Sequence, residues 1–294
     1  MPSLTRLLAV LACAATLAAC GGDSSPIGSV EPAPATTTSA PSSTPNGIGA
    51  PETGDVVIPP AGSPPQPGHP WFLTIGDSVT SGYTVDPARA GKNSSWALDM
   101  EQLLAQSGRA WSLYDIACAG ETLESYRTHC HDRSVNTAVL QGKPQERVAL
   151  DAIASHGADL RLIVVELGSN DLLRVLRSGT PLQSAIDNIH TQLGSVVAEL
   201  QKAAPGVPVI VCNFYNPLEN LLPASESELA QVNAAVTQVA TERGVRLADF
   251  HAAINSDPPP DSQLCMYVDC LHLDVHPTVA GHQRLAQAVL SALD

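Results

Sequence analysis

The sequence predicts a three-layer α/β/α sandwich around a central, mainly five-stranded parallel sheet. Three observations predict it. Five apolar runs of strand length recur between residues 71 and 249, and each of the five stretches that follow them carries a helical pattern. Several of those runs are rich in Val, Ile and Leu without a polar alternation, as expected of strands covered on both faces. Strands and helices alternating in this rhythm build a parallel sheet between two helix layers, and no internal repeat interrupts it.

Residues 1–19 open with a short basic segment and continue from Leu7 as a small, apolar run. That run is shorter than the roughly 20 residues a membrane-spanning helix needs, and it has the make-up of a cleavable signal peptide. It ends in Leu17-Ala18-Ala19-Cys20, which resembles the bacterial lipobox. The resemblance implies cleavage before Cys20, lipid attachment to Cys20 and anchoring at the outer face of the cell membrane; plain secretion is the alternative. Residues 20–69 hold half of the 24 prolines together with Pro70. Mixed with Ser, Thr, Gly and Ala, such a stretch buries too little apolar surface to offset its ordering entropy and reads as an extended tether.

Residues 70–294 then suffice for one domain with a sizeable core. The formal net charge of −14 argues against a nucleic-acid partner and against a polybasic grip on anionic lipid. The domain is expected to be a monomer.

The first strand, Trp71-Phe72-Leu73-Thr74-Ile75, runs into Gly76-Asp77-Ser78. A strand end is a rigid place to present a hydroxyl, and sites in open α/β sheets lie beyond the carboxyl ends of the strands. The same residues suit an ordinary surface turn. Ser94-Ser95 precede a helix beginning at Trp96, and residues 111–116 read as a second strand followed by Cys118-Ala119-Gly120-Glu121-Thr122. Pro144 sits at the mouth of a helix over 145–156. Residues 160–167 form a third, central strand that ends in the polar loop Gly168-Ser169-Asn170-Asp171. Beyond it come a long helix to Ala204, a strand over 207–213, a helix over 226–243, a strand over 245–249 and a final helix over 277–293. In a parallel sheet the loops holding Gly120 and Asn170 converge on Ser78.

Gly76-Asp77-Ser78, then Gly120, then Gly168-Ser169-Asn170-Asp171, then His276-Pro277 with Gly281 resembles the SGNH hydrolase superfamily, the GDSL esterases and lipases, across essentially the whole domain. The segments around Gly120 and His276 look like its exported actinobacterial branch. The resemblance implies a flavodoxin-like parallel sheet and a serine esterase or lipase without a cofactor. It makes Ser78 the nucleophile and His276 its base, with an oxyanion hole formed by the backbone N–H of Ser78, the backbone N–H of Gly120 and the Asn170 amide. The substrate is then an ester of a small molecule, a lipid or a carbohydrate.

The acid departs from the family's Asp-x-x-His pattern, because Leu273 stands three residues before His276. Asp274, Asp269 or a backbone carbonyl compete to orient the imidazole, Asp274 being preferred. This departure also leaves open a surface-anchored binding module that has lost turnover.

Apart from Cys20, five cysteines follow the signal peptide. In an oxidising compartment, Cys118 pairs with Cys130 and Cys265 with Cys270, each closing a short loop, while Cys212 stays in an apolar strand as a small hydrophobe. The competing use is zinc, on His129, Cys130 and His131 or on Cys265, Asp269, Cys270, His272, Asp274 and His276, in spacings that match no familiar zinc pattern. His251 and His282 read as surface or packing residues, Asp77 and Asp171 as turn formers. Tyr215-Asn216-Pro217 either lines a pocket or makes a turn.

Overall fold

The computed structural model describes residues 63–86, 94–130, 137–257 and 260–294. The signal region, Cys20, most of the tether and His131 lie outside them. β1 (Trp71–Gly76) leads into a single helical turn, α1 (Ser78–Ser81), and then α2 (Trp96–Gln106) and β2 (Ser112–Asp115) follow. Two short helices, α3 (Ser125–Thr128) and α4 (Thr137–Leu140), precede α5 (Gln145–His156) and β3 (Leu160–Glu166). Next are α6 (Ser169–Ser178), α7 (Leu182–Ala203), β4 (Val209–Cys212), α8 (Ser225–Arg243) and β5 (Arg246–Ala248). α9 (Phe250–Ile254), α10 (Leu264–Tyr267) and α11 (Val279–Leu293) end the chain.

The five strands are all parallel, in the order β2-β1-β3-β4-β5. Successive side chains of a strand point to opposite faces, and here both faces are covered. Trp71, Leu73 and Ile75 of β1, Ile163 and Val165 of β3, and Val209 and Val211 of β4 enter the core shared with α5, α7 and α8. Phe72, Leu162, Val164, Ile210 and Cys212 enter the opposite core, shared with α2 and α11. This two-sided burial explains why the strands read as unbroken apolar runs.

The strand order reverses direction at β1, whose two neighbours are β2 and β3. Thr74 is level with Asp115 on one side and Gly76 with Glu166 on the other. The chain therefore leaves three adjacent strands at the same height, which is where open parallel sheets form their crevices.

Six helices were not foreseen: the short α1, α3, α4, α9 and α10, and the ten-residue α6. Residues 169–171 were read as a loop but form the first turn of α6, whose leucines Leu172, Leu173 and Leu176 recur at helical spacing before a left-handed Gly179 ends it. Those signals are in the sequence, masked by the short run between two glycines. α9 follows from Asp249, whose carboxylate accepts the Ala252 N–H at 2.9 Å as its N-cap. Among the described residues no helix is long and apolar enough to cross a membrane.

Candidate active site

Ser78 begins α1 immediately after β1. The glycine before it answers a packing demand: a Cβ on Gly76 would stand 2.1 Å from Thr80 Oγ1 and 3.1 Å from the Glu166 carbonyl oxygen. Asp77 is fully buried and caps the turn, its Oδ1 accepting the Val79 N–H at 2.9 Å. Its Oδ2 accepts the Ser169 hydroxyl and, at 2.9 Å, the Asn170 amide. Asp77 thus does more than shape its own turn. It fastens the turn after β1 to the first turn of α6.

Beneath this pair lies Glu166, also buried, hydrogen-bonded to Asp77 and accepting the Thr80 hydroxyl at 2.9 Å. Burial pushes the Asp77 carboxyl up against the pull of Ser169 and the Val79 N–H. Burial and then the Asp77 charge push Glu166 well above the usual carboxylate range. Two carboxyls this close retain a proton between them, and the shared hydrogen bond holds the floor of the site rigid. Asp171 likewise reaches beyond its turn, accepting the Leu123 N–H and the Asn188 amide, each at 2.9 Å. Asp171 ties the segment after Gly120 to α6 and α7.

His276 arrives from the opposite side of the sequence on a loop bridged at Val268 and Pro277. Its Nδ1 lies 2.5 Å from Asp274 Oδ1, and the Val85 N–H donates to Asp274 Oδ2 at 3.3 Å. Burial opposes the Asp274 charge, but the His276 ring and the Val85 N–H outweigh it and hold the carboxyl below its usual range. A carboxylate at Nδ1 puts the ring proton there and leaves Nε2 as the basic nitrogen. Asp269 is turned away, with its carboxylate 2.9 Å from His272 Nδ1. The spacing of two works because Leu273 has a left-handed backbone, φ 52°, which reverses the chain just before Asp274. Tyr83 packs against the imidazole at a ring-centroid distance of 5.0 Å.

Ser78, Asn170 and His276 line one cleft of about 1050 Å³, open mouth included. Tyr215, Asn216 and Pro217 line it too, and the Tyr215 hydroxyl donates to the Val275 carbonyl at 2.7 Å, bracing the His276 segment. Gly120 is exposed at the end of β2 and is not among the residues lining this cleft. Its glycine is required by a left-handed φ of 77°, and a Cβ there would meet open space.

The sequence profile of the GDSL-like lipase/acylhydrolase family matches residues 74–284. The chain belongs to that family. Its reaction class is carboxylic ester hydrolysis. No functionally curated protein matches this GDSL-like hydrolase by sequence. Its fold is similar to that of Axe2, an acetylxylan esterase from Geobacillus stearothermophilus, with a TM-score of 0.53, 19% identity, and 77% of this chain and 94% of that one covered. It is similar also to LAE5, an α/β hydrolase enzyme from the metagenome of Lake Arreo, Spain (0.54, 19%, 77% and 95%), and to the lipase Lip_vut3 from a goat rumen metagenome (0.56, 14%, 76% and 97%).

Two disulfides frame the site of this GDSL-like hydrolase. Cys118–Cys130 and Cys265–Cys270 join with Cα separations of 5.8 and 5.3 Å. With all four sulfurs in disulfides, none is a thiolate for zinc. Cys212 is buried in β4, and burial, then Glu166, pushes its thiol well up, as befits an inert small hydrophobe. His282 is buried, accepting the Trp96 N–H at 3.2 Å, and His251 pairs with Glu226 at 2.7 Å.

Glu121, fully buried next to Gly120, bonds the Ser125 hydroxyl and, at 2.7 Å, the Gln145 amide, which also donates to the Gly76 carbonyl. Burial pushes its carboxyl up to about 7 despite these donors. Between the ordinary range near 4.5 and about 7, the folded state keeps a proton that the unfolded state has lost. Stability therefore falls as pH rises through that window. Glu121→Gln is expected to remove this component, so that its melting temperature gains a few degrees on the parent between pH 5 and pH 8. Parallel melting curves at the two pH values would refute it.

Proposed function

We propose that this protein is a serine esterase working through an acyl-enzyme on Ser78. His276 Nε2 takes the Ser78 proton as Oγ attacks the ester carbonyl, and the same nitrogen returns that proton to the departing alcohol. Water, deprotonated in turn by His276, attacks the acyl-enzyme, and the carboxylic acid leaves with Ser78 regenerated. The tetrahedral oxygen is held by the backbone N–H groups of Ser78 and Gly120 and by the Asn170 amide. One Asn170 proton is committed to Asp77, which aims the group and leaves its second proton for the oxyanion.

The observation that carries this reading is a carboxylate–imidazole pair at 2.5 Å on the same cleft as Ser78 and Asn170. That pair also counts against a module without turnover, whose support was the missing Asp-x-x-His acid. Cell-surface attachment through Cys20 rests on the lipobox-like residues 17–20.

Incubation with a fluorophosphonate tests the reading: a single adduct mapping to Ser78, with ester hydrolysis lost in proportion, is expected. Persistent hydrolysis after full labelling, or hydrolysis abolished by chelator alone, would sink it. Asn170→Ala is expected to lower kcat about 100- to 1000-fold with KM nearly unchanged, since the donor acts on charge that develops in the transition state. A loss confined to KM would place Asn170 in substrate binding instead.

A further inference from the structure

The cleft beyond Ser78 has a wall chemistry of its own. On one side α6 continues directly from Asn170 and presents Leu172, Leu173 and Leu176; on the other stand Phe214, Leu218 and Leu222. The five leucines are only half-buried and so keep apolar surface turned to the cleft or its mouth. Leu221, on the same turn as Leu218 and Leu222, is 61% exposed and extends the apolar rim.

The polar side chains on this wall are engaged within the protein. Asn213 donates to Asp249 and accepts the His251 N–H. Asn216 donates to Ser225 and Glu226 and accepts the Leu218 N–H. Half-buried Glu228 also borders the cleft, but one carboxylate is far short of what the hydroxyls of a sugar ring need when water is removed. Phe214 and Tyr215 are each at least nine-tenths buried, so neither offers an open ring face for a sugar to stack on.

We infer that the cleft is an acyl-chain site and that the preferred substrates are esters of medium-chain fatty acids, of about six to ten carbons. This rests on the serine-esterase reading. The leaving oxygen must face His276 Nε2 to collect its proton, which puts the alcohol on the side of the 274–276 loop. The α6 leucines follow from Asn170, on the oxyanion side, and so meet the acyl chain. From Asn170 to Leu176 the helix rises about 9 Å at about 1.5 Å per residue. An extended chain with carbon–carbon bonds of about 1.5 Å advances about 1.3 Å per carbon, so about seven carbons cover that wall.

The test is kcat/KM of the full chain on p-nitrophenyl esters from acetate to palmitate, beside alkyl acetates of rising alcohol length. Each methylene entering the cleft is expected to raise kcat/KM by up to about fourfold until the wall is covered. A gain of at least about tenfold from acetate to octanoate, levelling beyond about ten carbons, supports the proposal. Leu176→Trp fills the cleft from one wall and Leu222→Trp from the other; each is expected to cut the octanoate-to-acetate ratio about tenfold or more. Because the readout is a ratio, it is independent of how much enzyme folds.

Wild-type rates equal on acetate and octanoate, a gain that tracks the alcohol instead, or ratios untouched by both tryptophans would each overturn the acyl-chain assignment while fluorophosphonate labelling of Ser78 leaves the esterase reading standing. A folded protein inert on every ester and unlabelled at Ser78 would overturn both.

Discussion

Ser78→Ala is expected to lower kcat for ester hydrolysis roughly a millionfold, to the residual level of an oxyanion site without a nucleophile. The size follows from the mechanism: the hydroxyl forms and breaks a covalent bond in each half-reaction, and nothing else in the cleft replaces it. The fold should not notice. Asp77, not Ser78, caps α1, and the hydrogen bonds of Asp77 with Ser169, Asn170 and Glu166 do not involve the Ser78 side chain. An unchanged melting temperature together with the lost rate is therefore the expected pair of results. A variant retaining more than about one part in a hundred of the parental kcat would show that water is attacking directly and that Ser78 only positions the ester.

Asp274→Asn should cost about 10⁴ in kcat at neutral pH, through the tautomer of its partner rather than through lost contact. An amide N–H aimed at His276 Nδ1 forces the ring proton onto Nε2, the nitrogen that must be free to accept the Ser78 proton. Asp269→Asn is the matched control, because its carboxylate serves His272, and its kcat should stay within a few-fold of the parent. Equal losses in the two variants would mean that the loop as a whole, not the Asp274–His276 pair, was disturbed.

The substitution also changes acid stability. The folded Asp274 carboxyl lies below its usual range, so its stabilisation is present above the ordinary carboxylate pKa and is lost as pH falls through the folded value. The melting-temperature deficit of Asp274→Asn should accordingly be seen at neutral pH and shrink in acid.

Much of this was legible before any coordinates. The central strands β1, β3 and β4 announce themselves as largely apolar runs because both of their faces are buried, as Leu162 and Ile163 show by entering opposite cores, whereas edge strand β5, with Arg246 exposed, gives a weaker signal. Ser78 and Asn170 are legible because a parallel sheet brings its strand ends together whatever the loops do in detail, and His276 because His276-Pro277 with Gly281 resembles the family's late motif. α6 escaped because ten residues between Gly168 and Gly179 look like a loop when they are read for catalytic side chains alone. The work of Asp77 and Glu166 escaped because it is a contact between side chains 89 positions apart, and sequence spacing carries no sign of it.

By itself the sequence determined the sheet and the family and pointed to Ser78, Asn170 and His276, which line one cleft, since each follows from local periodicity or a short motif. Tertiary structure alone decided which carboxylate meets His276: Asp274 and Asp269 are both close in sequence, and the choice turns on the left-handed backbone of Leu273 and the Val85 N–H, 189 residues from Asp274. It likewise decided the chemistry of the cleft. Whether a leucine belongs to a core or a substrate wall depends on what packs against it, and Leu172, Leu173 and Leu176 are left half-covered only because α6 and the 214–222 segment stand apart across the ends of the strands.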